Sequence, residues 1–357
     1  MEFSDRLLFW YDSHKRILPW RTSDDPYKVW ISEVILQQTR IEQGMTYYSR
    51  FLDAFPDVAS LAAASEDEVL RLWQGLGYYS RARNLHQAAR EIVKKQDKKF
   101  PESSKQWMRL KGVGPYTAAA VASIVFREPI PALDGNGYRV LSRVFGLSYN
   151  IDTAKGKTRF FQLATQLIDP KRPGDFNQAL MDLGSMICKP FRPLCQKCPL
   201  NETCLAKQQN ATHHYPVKNP KKAARERYFN YFKITTKDRQ GNNIIYIKKR
   251  LENDIWKNMY DFPLLETSAE ISTEKIFQHP WWLQLFPDDK AFLMLKQVRQ
   301  RVHKLTHQTI HAKLFQVCAD HEHTDLLNKK FIPVKIDQFE QMAKPRLIEL
   351  LTRIQEK

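Results

Sequence analysis

Leu110-Lys111-Gly112-Val113-Gly114-Pro115-Tyr116-Thr117, followed at once by the small-residue run AAAVASIV (118–125), is the stretch that decides the fold. Gly112 and Gly114 let the backbone approach a phosphate closely, and the free N–H groups at the start of the following helix bind the anion. Gly-x-Gly by itself is an ordinary turn. Set between two helices, over about residues 107–125, the extended string is much more specific.

Outward from this string, residues 1 to about 205 read as helical. Amphipathic stretches alternate with the turn signals Asp24-Asp25-Pro26, Phe55-Pro56-Asp57 and Phe100-Pro101-Glu102. Asp25 before Pro26 predicts a helix start. Trp30, Ile31, Val34 and Ile35 then form one apolar stripe at helical spacing, with Glu33 flanking it. Some twenty residues after the glycine string comes PALDGNGYRV (131–140), with Asp134 just before a glycine. Taken alone, Glu33 is an ordinary interface glutamate and Asp134 a turn aspartate.

Four of the five cysteines crowd together as Cys188, Cys195, Cys198 and Cys204, spaced C-x6-C-x2-C-x5-C. Thiolates are soft ligands, so the group implies zinc or an iron–sulfur cluster. Zinc sites more often use two separated pairs, and one tight loop favours a four-iron cubane. Lys189, Arg192 and Lys197 make the same loop basic enough to touch a nucleic-acid backbone. Cys318 is expected to be an ordinary buried thiol.

The 357 residues exceed one hydrophobic core, and two domains are expected. A second begins after about residue 217, behind a basic stretch, VKNPKKAARER, that reads as exposed linker. The expected division is 1–217, a linker at 218–226, and 227–357. YFNYFKITT, the turn DRQGNN and IIYIKKR predict a β-hairpin, and Thr309–Cys318 a further strand. Lys and Arg outnumber Asp and Glu by 56 to 39, a net +17 that suits a polyanion. No apolar run spans a bilayer, and the acidic N-terminus is unlike a signal or transit peptide. A soluble, cytoplasmic protein is expected.

The glycine string matches the helix-hairpin-helix element of DNA repair proteins. Together with the later aspartate and the cysteine loop, it resembles the endonuclease III superfamily of DNA glycosylases. Within it, PWR (19–21), PYKVWISEVILQQTRI (26–41), WQGLGYYSRARNLH (73–86) and LDGNGYRVLSR (133–143) are similar to adenine DNA glycosylases of the mutY type. The match is dense over about residues 6–205 and looser beyond. It implies an all-α glycosylase domain with a [4Fe-4S] loop, followed by an α+β, Nudix-like domain.

The resemblance also implies roles. Glu33 would be the general acid protonating adenine at N7, and Asp134 would stabilise the oxocarbenium-like sugar. Tyr116 and Asn136 match positions that contact the reacting nucleotide and orient Asp134. Gln38, Leu76 and Tyr78 match residues that probe or wedge the duplex. Arg21, Thr39, Gly112 and Gly114 fall in matching DNA-binding strings. Strand-cutting relatives carry lysine where this chain has Tyr116, so base removal by water without strong lyase activity is expected. IWKNMYDFP (255–263) resembles the family's second domain, though no nucleotide-hydrolysing helix motif is visible. Leu305-Thr306-His307, after the basic VRQRVHK, stands where the family places a Phe-Ser-His turn that recognises 8-oxoguanine. The implied partner is double-stranded DNA with adenine opposite 8-oxoguanine or guanine, bound by a monomer. Two other functions stay open: a glycosylase for another base, and a non-catalytic cluster-bearing DNA-binding protein.

Overall fold

The computed structural model describes residues 2–95, 99–220, 223–238, 240–287, 296–320 and 323–352. The chain forms two compact units. One comprises 1–64 and 84–220; the other comprises 65–83 and 221–357. The expected division was contiguous, so the difference lies in 65–83, which keeps its contacts with the later chain.

The first unit is helical. Asp25 caps the helix Pro26–Leu36 by accepting from the Tyr27 amide at 2.8 Å, with Pro26 at the first position. The expected single apolar stripe is too narrow a description. Tyr27 and Val29 through Ile35 are all buried, Glu33 among them, so two consecutive turns of this helix are covered all round. The glycine string joins Ser104–Trp107 to Pro115–Val125. Gly112 adopts φ +76°, and a Cβ there would meet the Asn84 Cβ at 2.4 Å, so only glycine makes the turn. Asp134 is more than a turn residue: it caps the helix Gly135–Val144. The helix Pro173–Met186 packs against both Pro115–Val125 and Gly135–Val144. Trp30 and Trp107, both fully buried with ring centroids 5.6 Å apart, anchor one part of the core. Burying such side chains supplies about 1.5–3 kcal/mol each.

The second unit is built on a mixed sheet, and its strands among the described residues are β1 (Arg225–Lys237), β2 (Asn243–Lys249), β3 (Tyr260–Asp261), β4 (Leu264–Thr267), β5 (Lys296–Lys304), β6 (Gln308–Cys318) and β7 (Ile332–Lys335). Their order is β3-β2-β1-β6-β5, with β4 on β1 and β7 on β2. The predicted hairpin is β1–β2, pairing Thr235 with Ile245. The predicted later strand is β6, and it runs parallel to β1 from Arg225 opposite Gln308 to Thr235 opposite Cys318. Phe229 to Phe232 are buried on both faces of β1, which is why this strand is apolar without strict alternation. Short helices complete an α+β unit among the described residues: Glu66–Leu72 from the earlier segment, then Thr273–Phe277, Pro280–Leu283, Thr324–Lys330, Ile336–Gln341 and Arg346–Thr352.

Three expectations need correction or limits. Arg225 and Glu226, assigned to the linker, already belong to β1. Cys318 is exposed rather than buried, because Val317 takes the inward position at the end of β6. Lys221 and Lys222 of the linker and Arg239 of the hairpin turn lie outside the described residues. Among the described residues, no helix is long and apolar enough to cross a membrane.

Candidate active site

The first unit holds an open cleft of about 1170 Å3 lined by Arg21, Glu33, Gln38, Thr39, Gly112, Gly114, Tyr116, Asp134 and Asn136, among others. Glu33 comes from the helix Pro26–Leu36 and is only 8% exposed. Burial pushes its carboxyl up to about 7; donation from the Tyr116 hydroxyl and the Arg21 charge oppose this, and the Asp134 charge adds to it. Glu33 is therefore a group that exchanges its proton near neutrality, as an acid–base catalyst must. Tyr116 is partly buried, and burial together with the two carboxylates holds its phenol far above the usual range. It remains a neutral donor, 3.3 Å from the Met181 sulfur and within reach of Glu33.

Asp134 is held from three directions. Its Oδ1 accepts from the backbone amides of Asn136 at 2.9 Å and Gly137 at 2.8 Å, and its Oδ2 accepts from Asn136 Nδ2 at 2.6 Å. Asn136 is fixed in turn by Arg139, whose Nη2 donates to Asn136 Oδ1 at 2.8 Å and to the Gly184 carbonyl at 2.7 Å. Gly184 permits this closeness: a Cβ there would stand 2.5 Å from the Asn136 Cβ.

Arg21 does not face outward as a DNA contact would. It forms a two-pronged pair with Asp182, at 2.6 and 3.0 Å, and Arg16 Nε donates to the same carboxylate at 2.8 Å. Burial opposes the charge on Asp182, yet the two guanidinia hold its carboxyl below the usual range. The sequence pattern did not single out Asp182, Arg139, Arg143, Met181 or Gly184. For Asp182 a signal existed: a lone acid inside the apolar run ALMDLG needs a buried partner.

The four clustered cysteines surround one small cavity with Val140, Leu183 and Arg143. Among the described residues, no three such side chains converge on a single ion-sized point. Four thiols lining one cavity make a soft donor set suited to a metal centre. Burial, with the neighbouring sulfurs, pushes the Cys198 thiol up to about 12, so holding it as a thiolate calls for a cationic centre. Arg143 Nη1 lies 3.4 Å from the Cys188 sulfur and donates to the Lys189 carbonyl at 2.7 Å, while Arg139 Nε donates to the Cys188 carbonyl at 2.7 Å. Lys189, Arg192 and Lys197 are exposed on this loop.

The remaining expected residues gather in the second unit. Leu76 and Tyr78 line a cavity of about 680 Å3 with Leu305, Thr306 and His307, which form the turn between β5 and β6. The Tyr78 hydroxyl touches the Thr306 hydroxyl. Gln38 and Tyr78 both hold a left-handed backbone, with φ of 58° and 46°. Non-glycine residues there carry strain that concentrates at functional sites.

Residues 31–165 match the HhH-GPD superfamily of base excision DNA repair proteins. The adenine DNA glycosylase of Buchnera aphidicola subsp. Schizaphis graminum is 34% identical over 312 residues, covering 87% of this chain and 85% of that one. The human adenine DNA glycosylase is 44% identical over 216 residues, which are 58% of this chain and 40% of the human protein. Among solved structures, a thermostable thymine-DNA glycosylase superposes with a TM-score of 0.54 at 29% identity, covering 58% of this chain and 95% of that one. With the buried acid, the capped aspartate and the hairpin in one unit, and a relative matched along most of both chains, this chain belongs to the adenine DNA glycosylase family.

Proposed function

We propose that the chain is a monofunctional glycosylase that hydrolyses the N-glycosidic bond of adenine opposite 8-oxoguanine or guanine in duplex DNA, leaving an abasic site. The observation that carries this is the pairing, in one cavity, of a buried carboxyl raised to about 7 with a carboxylate held by three donors. An adenine flipped from the stack meets Glu33 in its protonated form. Glu33 gives that proton to N7, which turns the purine into a better leaving group. Asp134, fixed by Asn136, lies against the sugar and offsets the positive charge that develops as the bond breaks. Water adds at C1′ and its proton passes to the carboxylate pair. Tyr116 offers no amine for a Schiff base, which supports base removal without strand cleavage.

Cys188, Cys195, Cys198 and Cys204 would hold a [4Fe-4S] cluster, which when bound keeps the basic loop folded. Leu305, Thr306 and His307, with Leu76 and Tyr78, would read the base opposite adenine; their support is a shared cavity. The net charge of +17 favours a soluble monomer acting directly on DNA.

The test is single-turnover base release from duplexes holding A opposite 8-oxoguanine, A opposite G, T opposite G, or uracil, followed by alkali. Release from the adenine duplexes, falling as pH rises through about 7 where Glu33 loses its proton, is expected. Release confined to thymine or uracil, or none at all, would refute the proposal.

A further inference from the structure

β5 leads directly into the Leu305–His307 turn, and its charge is unlike that of the strand beside it. On β6, His311 pairs with Glu226 at 2.6 Å and Lys313 with Glu270 at 2.8 Å. On β5, Arg299, Arg301 and Lys304 meet no acidic side chain of the described residues. β5 is also the last strand of the sheet, bonded among the described strands to β6 alone. Arg299 and Arg301 pair with Leu314 and Ala312, and His303 pairs with Ile310, so all three share one face. His303 and Lys304 line the same cavity as Thr306 and His307.

The geometry points to β5 as a phosphate-binding strand that grips the DNA backbone beside the base read by the turn, an inference that rests on the function proposed above. At the strand rise of about 3.3 Å per residue, Arg301 and Arg299 stand on one face roughly 13 and 20 Å from Leu305, while Lys304, on the other face, adjoins the turn itself. Those spacings follow a few successive nucleotides on one side of the opposite base. Unpaired cations suit phosphate because each contact releases a condensed counterion. Direct continuity with the turn favours the nucleic-acid strand over an acidic peptide. The grip is indifferent to sequence: it places the strand, and the turn identifies the base.

The test uses the full-length, cluster-loaded protein and duplexes with A opposite 8-oxoguanine or G. Half-saturation of single-turnover release is measured across a salt series. R299Q/R301Q should flatten the slope of log affinity against log salt by about 1.8, at roughly 0.9 per lost phosphate contact. The loss should be equal on both duplexes, with the rate at saturating protein unchanged. R299K/R301K, which keeps the charge, should retain the parent slope and shows whether the strand still folds. An unchanged slope in R299Q/R301Q overturns the inference. The edge charge would then only deter pairing between chains, or hold an acidic peptide. A fall in the saturated rate also overturns it, by placing the pair inside the reaction. A parent protein that neither binds nor cuts either duplex would refute the proposed function itself, whereas an unchanged slope in a working enzyme refutes β5 alone.

Discussion

Replacing Glu33 with glutamine should make the protein more stable at alkaline pH while removing its activity. Glu33 is 8% exposed, and burial raises its carboxyl from the ordinary 4.5 to about 7. At 1.36 kcal/mol for each factor of ten, that is a penalty of about 3 kcal/mol on the ionised form in the folded state. Below pH 4.5 both folded and unfolded chains hold the proton, and no penalty exists. Between pH 4.5 and about 7 the unfolded chain releases the proton first, so stability falls as pH rises. Above about 7 the folded chain is ionised too, and the loss is complete. Glutamine carries no charge at any of these pH values, so the variant's advantage should grow from near zero at pH 4.5 to about 3 kcal/mol at pH 8. Urea unfolding of parent and variant at both pH values measures this. An advantage that stays constant or shrinks with pH would show that Glu33 does not carry its proton in the folded protein. Adenine release should fall at least about 10²–10⁴-fold, the usual contribution of a general acid.

Gly184→Ala should lower the saturated rate of adenine release without weakening DNA binding, because the new Cβ presses on Asn136, which holds Asp134; rapid-quench rates at saturating protein would check it. Tyr116→Lys should gain a borohydride-trapped adduct with DNA, since an amine there can reach the sugar once the base has left. Strong trapping by the parent would contradict monofunctional chemistry. Cys198→Ser should lose iron, expected at about four per chain in the parent, along with the brown absorbance; iron analysis of anaerobic preparations decides it.

The elements legible in the sequence are those set by local chemistry. Gly112 and Asn84 show why: the turn tolerates only glycine, so the glycine itself marks the hairpin. Asp25-Pro26 marks a helix start by capping, and DRQGNN between two alternating runs marks a hairpin. Features set by distant partners were not legible. Nothing local says that β6 pairs with β1 in parallel, or that Arg16 and Arg21 close on Asp182. Cys318 is exposed where a buried thiol is expected, and only the pairing of its strand shows which parity faces inward. Glu33 and Asp134 gained roles through the resemblance of whole strings, because a helix glutamate and a capping aspartate are individually common.

The membership of residues 65–83 bears on how the protein is made and cut. That segment is tied to the later chain by Glu66 to Asn258, Asp67 to Lys249 and Tyr260, and Gln74 to Lys344. During synthesis it leaves the ribosome long before those partners exist, so the second unit cannot finish until nearly the whole message is read. The polypeptide passes between the units at 64/65, 83/84 and 220/221. A protease that nicks the chain near residue 220 therefore leaves two fragments still interlocked by folded structure, and they should co-elute until a denaturant parts them.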